Sequence, residues 1–474
     1  MKLKALYISG LTILISLQVL KGQQNNSIYF MDRVPQSHHL NPARQYPCNF
    51  YIGAPGLAPL QTTFAHTGFT LNELVYADPN TGVTKFFLHP DVYKVDEFMK
   101  SNGKVNYLDA FASVSLASMG VRANHFFISF DVQHKAFVRF SYPKSLLDLA
   151  LLGNIDENGN SKTIDLKNLG FDYKEYNEIA LGISEKINRE WTAGFKVKIL
   201  SGMANINFKN NIDLKTGIDE WSIAETGINI DMSFPPIKII SDSNSNYTGY
   251  EEGEIRLQDI KPGNLGAALD FGAIFTPTEK FEFSASVLDL GGINWNSNTV
   301  NLTQQSSVSW TGLNFSLDTN QTDPLAALTD SFRFKVTNDP YATPLSTKLF
   351  LGGRYFVNEA FSFGILSRNE FYRGRILPQL TLSANINEKF ISSCLTYSMM
   401  HRTYSNFGFG LSFKIAPFNL YIFSDNIPLR WNNIIDNNGN EIMWPYKQKS
   451  FNIRFGMNLI FGCKDPLRDK PLIY

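Results

Sequence analysis

Phe451-Asn-Ile-Arg-Phe-Gly-Met-Asn-Leu-Ile-Phe461 alternates without a break. Phe451, Ile453, Phe455, Met457, Leu459 and Phe461 fall on one face of an extended chain, and Asn452, Arg454, Gly456, Asn458 and Ile460 fall on the other. Successive side chains of a strand point to opposite faces, so the pattern describes a strand with a large apolar face and a polar or small one. A transmembrane β-strand, lipid outside and water inside, requires this pattern. A soluble strand can also carry it, so the decision rests on recurrence.

The alternation recurs in fourteen stretches: 48–70, 104–121, 125–141, 172–187, 191–209, 262–276, 280–293, 345–357, 360–370, 377–387, 390–400, 405–415, 417–424 and 449–462. The first, broken by Pro55 and Pro59, either closes a barrel or belongs to a plug. The connections sort by parity. After even-numbered stretches they are very short, as at Arg122–Asn124, Asn188–Glu190 and Asn358-Glu359. After odd-numbered ones most are long: 71–103, 142–171, 210–261, 294–344 and 425–448, with short exceptions near 371–376 and 401–404. Outer-membrane barrels have short periplasmic turns and long external loops. The sequence therefore predicts an all-β fold, a transmembrane antiparallel β-barrel of 14 strands over 48–462 with long extracellular loops.

Composition agrees. Aromatic residues make up 14% of the chain, with 38 Phe and 20 Tyr, yet beyond the N-terminus no apolar run is long enough for a membrane helix. The 43 basic and 43 acidic residues cancel, so charge implies no nucleic-acid partner. Lys2, Lys4 and the apolar run Ala5–Leu20, followed by Gly22, read as a signal peptide over 1–22, with export to the outer membrane. Residues 23–47 form either a plug in the lumen or a periplasmic lead segment, and 463–474 a periplasmic tail. Cys48, Cys394 and Cys463 are widely spaced, which argues against a disulfide framework or metal cluster. Among the loops, Pro143–Leu152 predicts a short helix, Ala204–Phe234 a hairpin rising beyond the membrane, and 241–253 a mobile segment.

No motif for catalysis, a phosphate or a cofactor occurs. His38 and His39 in an extended segment would point apart, which disfavours a metal site. Asn154-Ile-Asp-Glu-Asn-Gly159, with Asp165 at the twelfth place, reads as an Asn/Gly turn rather than a calcium loop. The inward parity collects Asp131, Gln133, Glu178, Lys196, Lys198, Asp270, Glu282, Lys348, Arg354, Arg368, Lys414, Asn452 and Arg454, acids and bases mixed, together with Phe127 and Phe350. Such a lining suits a salt-bridged interior better than an ion channel, which would show a ring of one sign. Trp221, Trp295, Trp310, Trp431 and Trp444 fall in predicted external loops, and Trp431 and Trp444 are candidate partner contacts.

Several strings, in order, resemble a known family: Pro35-Gln-Ser with Asn41-Pro-Ala, Lys196-Val-Lys-Ile-Leu-Ser-Gly202, Asp270-Phe-Gly-Ala273, and Ser286-Val-Leu-Asp-Leu-Gly291 with Trp295. Asn406-Phe-Gly-Phe-Gly-Leu411, Leu420-Tyr-Ile-Phe-Ser-Asp-Asn426 and Asn452-Ile-Arg-Phe-Gly-Met-Asn458 complete the set. Over the whole mature chain they resemble an uncharacterised outer-membrane barrel family of Bacteroidota labelled only as a domain of unknown function. That family in turn is distantly similar to FadL-type fatty-acid transporters and to PorV-type shuttle barrels of type IX secretion. The resemblance implies fourteen strands and transfers no ligand residue, because no motif position matches. Two non-enzymatic functions follow. The first is a partner or carrier subunit in a secretion or outer-membrane assembly complex, with a protein partner and membrane lipid around it. The alternative is a FadL-like channel for a hydrophobic ligand.

Overall fold

The computed structural model describes residues 26–53, 60–156, 158–217, 221–223, 227–235, 237–252, 263–304, 307–310, 333–400, 403–435 and 439–463. The predicted signal peptide, and the predicted tail beyond Cys463, lie outside these residues.

Fourteen antiparallel strands form a closed ring. The first, β1, comes in two pieces, Cys48–Gly53 and Leu60–His66. Then follow β2 (Val105–Ala123), β3 (Phe126–Pro143), β4 (Gly170–Lys186), β5 (Trp191–Asn210), β6 (Asn264–Thr278) and β7 (Phe281–Trp295). The second half is β8 (Thr347–Phe356), β9 (Phe361–Tyr372), β10 (Arg375–Asn387), β11 (Ile391–Met400), β12 (Thr403–Ile415), β13 (Phe418–Ile427) and β14 (Ser450–Cys463). Each strand pairs with its neighbours in sequence, and β1 pairs with both β2 and β14. Cys48–Gly53 and Leu60–His66 are therefore both wall.

The alternation is physical. On β4, Ile179, Leu181 and Ile183 are 45%, 59% and 45% exposed, while Glu178, Ala180 and Ser184 are buried. On β14, Phe455 and Phe461 face out, and Asn452, Arg454 and Asn458 face in. Leaving a side chain of this size in water forgoes about 1.5–3 kcal/mol. A wall of such side chains on every strand is stable against hydrocarbon and not against water. The chain is a transmembrane β-barrel.

Register shifts interrupt strict alternation on several strands, on β2 between Ser115 and Ala117 and on β5 between Gly202 and Ala204 among them, and two further features bear on the seam and the site. Between Gly53 and Leu60 the first strand advances seven residues, while its partners move only from Asn458 to Phe455 on β14 and from Ser118 to Val114 on β2. On β7, Asp289 has φ +61° and the register shifts, a bulge that turns odd-numbered residues inward beyond it. Trp295, expected in an external loop, is therefore fully buried at the end of β7 among Tyr176, Leu200, Ile293 and Leu345.

The disulfide expectation is overturned. Cys48 and Cys463, 415 residues apart, are bonded. Ring closure makes them register partners, a proximity that sequence spacing does not reveal. Cys394 is free and buried, as a small apolar residue would be.

The long loops sit at the end where β2 begins and β3 ends. They hold helices α1 (Leu71–Leu74), α2 (Val95–Ser101) and α3 (Lys144–Leu152); α3 matches the predicted helix. Ile228–Ser233 pairs back onto Asn205–Asn210, as the predicted hairpin requires. Within the segment expected to be mobile, Tyr247–Glu252 forms a hairpin with Ile237–Ser241. Asp156 accepts the amides of Asn158 and Asn160, the expected turn.

Candidate functional site

Residues 26–47 run against the inner face of the ring, with short 3₁₀ turns at Asn26–Ile28 and Pro35–His39. Ile28, Tyr29, Met31, Gln36 and Asn41 are fully buried. Their polar partners come from strands all around the barrel. The Asp425 carboxylate on β13 accepts the amides of Asn26 and Ser27 at 3.0 and 2.8 Å. Tyr29 donates to Ser284 on β7, and Gln36 donates to Asn458 on β14. Arg44 bridges Asp32 of the segment and Glu282 on β7, and Asp32 reaches Arg354 on β8. At Gly194 an added Cβ would stand 2.2 Å from the Pro42 backbone, and at Gly272 2.1 Å from Asn41. Glycine there lets the Asn41-Pro-Ala turn lie against the wall.

His38 and His39 do not point apart. The 3₁₀ turn behind Pro35 brings both rings to Asp131 on β3, His39 Nε2 at 3.0 Å and His38 Nε2 at 3.8 Å. Two histidines and a carboxylate could ligate a metal. Here Lys196 Nζ lies 3.2 Å from Asp131 Oδ2 and 3.1 Å from His38 Nδ1, and Arg454 lies 3.2 Å from His39 Nδ1. The Asp131 carboxylate and both rings thus already have cationic neighbours, which disfavours a further cation among them. Burial holds His39 down to about 4 against the pull of Asp131. Burial, with Lys196 beside it, holds His38 well below its ordinary value.

Further toward the loop end, Arg139 on β3 grips Asp109 on β2 with two bonds of 2.7 Å. It also reaches Glu370 on β9 at 3.1 Å, nearly across the ring. The Tyr372 ring lies 4.3 Å from its guanidinium. Between this bridge and the N-terminal segment lies a cavity of about 150 Å³. Eight of the charged residues expected inside line it: Asp131, Glu178, Lys196, Lys198, Asp270, Lys348, Arg368 and Arg454. Arg354 is buried elsewhere, against Asp32, and Lys414 is half-buried near the turn after β12. Lys135, Lys174, Asp289 and Glu370 also line the cavity. Continuing the same parity along β3, β4 and β9 would have found Lys135, Lys174 and Glu370; the bulge hid Asp289.

A second pocket, of about 490 Å³, sits at the loop-end rim. Phe64, Leu108 and Phe140 form its wall side, and Leu74, Leu147 and Trp444 its loop side. Trp444 thus turns into a pocket, whereas Trp431, paired opposite Pro445 in the same hairpin, is half exposed.

Residues 42–425 match the family of unknown function DUF5723. The chain belongs to the DUF5723 family. No curated protein matches it. Among solved structures, this DUF5723 barrel is similar to the Ralstonia pickettii toluene transporter TbuX, at 8% identity, covering 91% of this chain and 94% of that one, TM-score 0.38. It is similar to the monoaromatic hydrocarbon channel CymD at 8% identity, covering 94% and 98%, TM-score 0.39. A Pseudomonas aeruginosa FadL homologue aligns at 9% identity over 91% and 94%, TM-score 0.36.

Proposed function

We propose that this DUF5723 barrel is a non-enzymatic outer-membrane protein that takes up hydrophobic small molecules, with residues 26–47 as its plug. The observation that carries the reading is the rim pocket, whose volume of about 490 Å³ and apolar lining suit a ligand of ordinary small-molecule size. Its residues come from the barrel wall and from three loops, so a molecule arriving from outside meets it before the lumen. The inner face, by contrast, is charged and largely filled, which makes the pocket the first holding site and the plug the barrier beyond it. The pocket supports uptake, the alternative, over the secretion-complex role expected first.

The test is binding of an environment-sensitive fluorescent hydrocarbon to the purified full chain in detergent micelles. Saturable binding is expected, weakened about tenfold or more by Trp444→Ala, since truncating an aromatic anchor at a binding site typically costs over 1–2 kcal/mol. Equal binding by the variant and the unaltered chain would sink the reading. The partner role retains one specific support, the exposed Trp431 edge of the hairpin, half in solvent. A large protein recovered in stoichiometric amount with the barrel, and lost on Trp431→Ser, would restore that role to first place.

A further inference from the structure

Ion pairing on the inner face leaves a remainder. Around the central cavity Lys135 pairs with Glu178, Lys196 with Asp131, Lys198 with Asp270, Lys348 with Asp289, and Arg368 with Glu370. Arg139 above it takes Asp109. Lys174 and Arg454 line the same cavity, are 5% and 4% exposed, and among the described residues have no carboxylate within 4.0 Å. Lys174 Nζ donates to the Pro344 carbonyl at 2.8 Å, one bond for three N–H groups. Arg454 meets the uncharged ring of His39, and its Nε is buried with no acceptor. Asp172, two residues before Lys174 on the same face of β4, acts on it electrostatically but forms no ion pair with it and does not line the cavity.

Buried cations without a counter-charge are costly, and guanidinium or ammonium N–H groups favour carboxylate and phosphate oxygens above other acceptors. The cavity, at about 150 Å³, has room for an oxyanion of a few atoms. Leu288 and Phe350 form an apolar side, which would accept the body of a small carboxylate. We propose that this cavity is a binding site for a small oxyanion, carboxylate or phosphate, held by Lys174 and Arg454. The site lies between the plug segment and the Arg139–Glu370 bridge, so the anion would be enclosed. Binding there is independent of hydrocarbon uptake at the rim.

The experiment uses the full chain in detergent micelles, titrated calorimetrically with inorganic phosphate and, separately, with acetate. Saturable binding of at least one is expected, and the one that binds identifies the source. Lys174→Met and Arg454→Met should each weaken it about tenfold or more, and Lys414→Met, which lies outside the cavity, should leave it unchanged. Fluorescent-hydrocarbon binding at the rim reports that each variant is folded and keeps failure of the uptake reading distinct from failure of this one. Bromide soaked into crystals of the unaltered protein gives a second measurement, with an anomalous peak expected beside Lys174 and Arg454. No saturable binding of either anion, equal binding by the cavity variants, or a cavity without bromide would overturn the proposal.

Discussion

His39 lies among Asp131, Gln133, Lys196, Arg454 and the ring of His38, and burial decides its charge. Its value falls from 6.5 to about 4, so the docked segment disfavours the proton that a released one would take. The docked state therefore binds fewer protons between about 4 and 6.5. Docking is fully favoured above that window and weakens as pH falls through it, by at most about 3 kcal/mol for this residue. Amide hydrogen exchange of residues 26–47 should rise as pH drops from 7 toward 4.5, after correction for intrinsic rates, and His39→Gln should flatten the response. Unchanged protection across that range in the unaltered chain would refute it. The charged partners of this site were legible because Asp131, Lys196 and Arg454 sit in unbroken period-2 stretches of their strands. The convergence of His38 and His39 was not legible, because a 3₁₀ turn rotates neighbouring side chains in a way that an extended reading misses.

Strands show the same rule and where it stops. Parity placed wall residues between register shifts and failed beyond them, on β2 past Ser115, on β5 past Gly202, and on β7, where Asp289 inserts one residue and exchanges the faces. Nothing in Val287-Leu-Asp-Leu-Gly-Gly292 marks that bulge beyond a glycine pair, so Trp295 read as a loop residue. The first strand carries a larger interruption, and it changes which residues face each other across the seam. Ile52 opposes Leu459, while Phe455 opposes Leu60. Cysteines introduced at Ile52 and Leu459, in a Cys48→Ser, Cys463→Ser background, should cross-link readily on mild oxidation. Cysteines at Ile52 and Phe455, four positions off that register, should not. The reverse result, read from peptide mapping of the oxidised protein, would overturn the register of Cys48–Gly53 against β14.

At the scale of the whole molecule, the seam is where chain ends become neighbours. Strand count, loop parity and lipid-facing alternation are all local or periodic, so they survive in the sequence. A contact between Cys48 and Cys463 depends on the ring closing and leaves no such trace. The bond joins the first residue of β1 to the last of β14. Hydrogen bonds of the closed barrel hold the seam already, so the added stability comes mainly from the unfolded side. Linking residues 415 apart restricts the unfolded chain to a large loop, and loops of that size place the effect at the upper end of the usual range, up to about 5 kcal/mol. Cys48→Ser with Cys463→Ser should therefore leave strand content and hydrocarbon binding intact while lowering the denaturant midpoint in micelles, followed by tryptophan fluorescence. Reductant should produce the same shift in the unaltered protein and none in the variant. Identical midpoints with and without the bond would show that the strand ladder alone fixes the seam and that the disulfide contributes nothing to the closed state. Fully unfolded but unreduced protein should also migrate faster than the reduced chain on a denaturing gel, because the bond leaves it a ring with short tails.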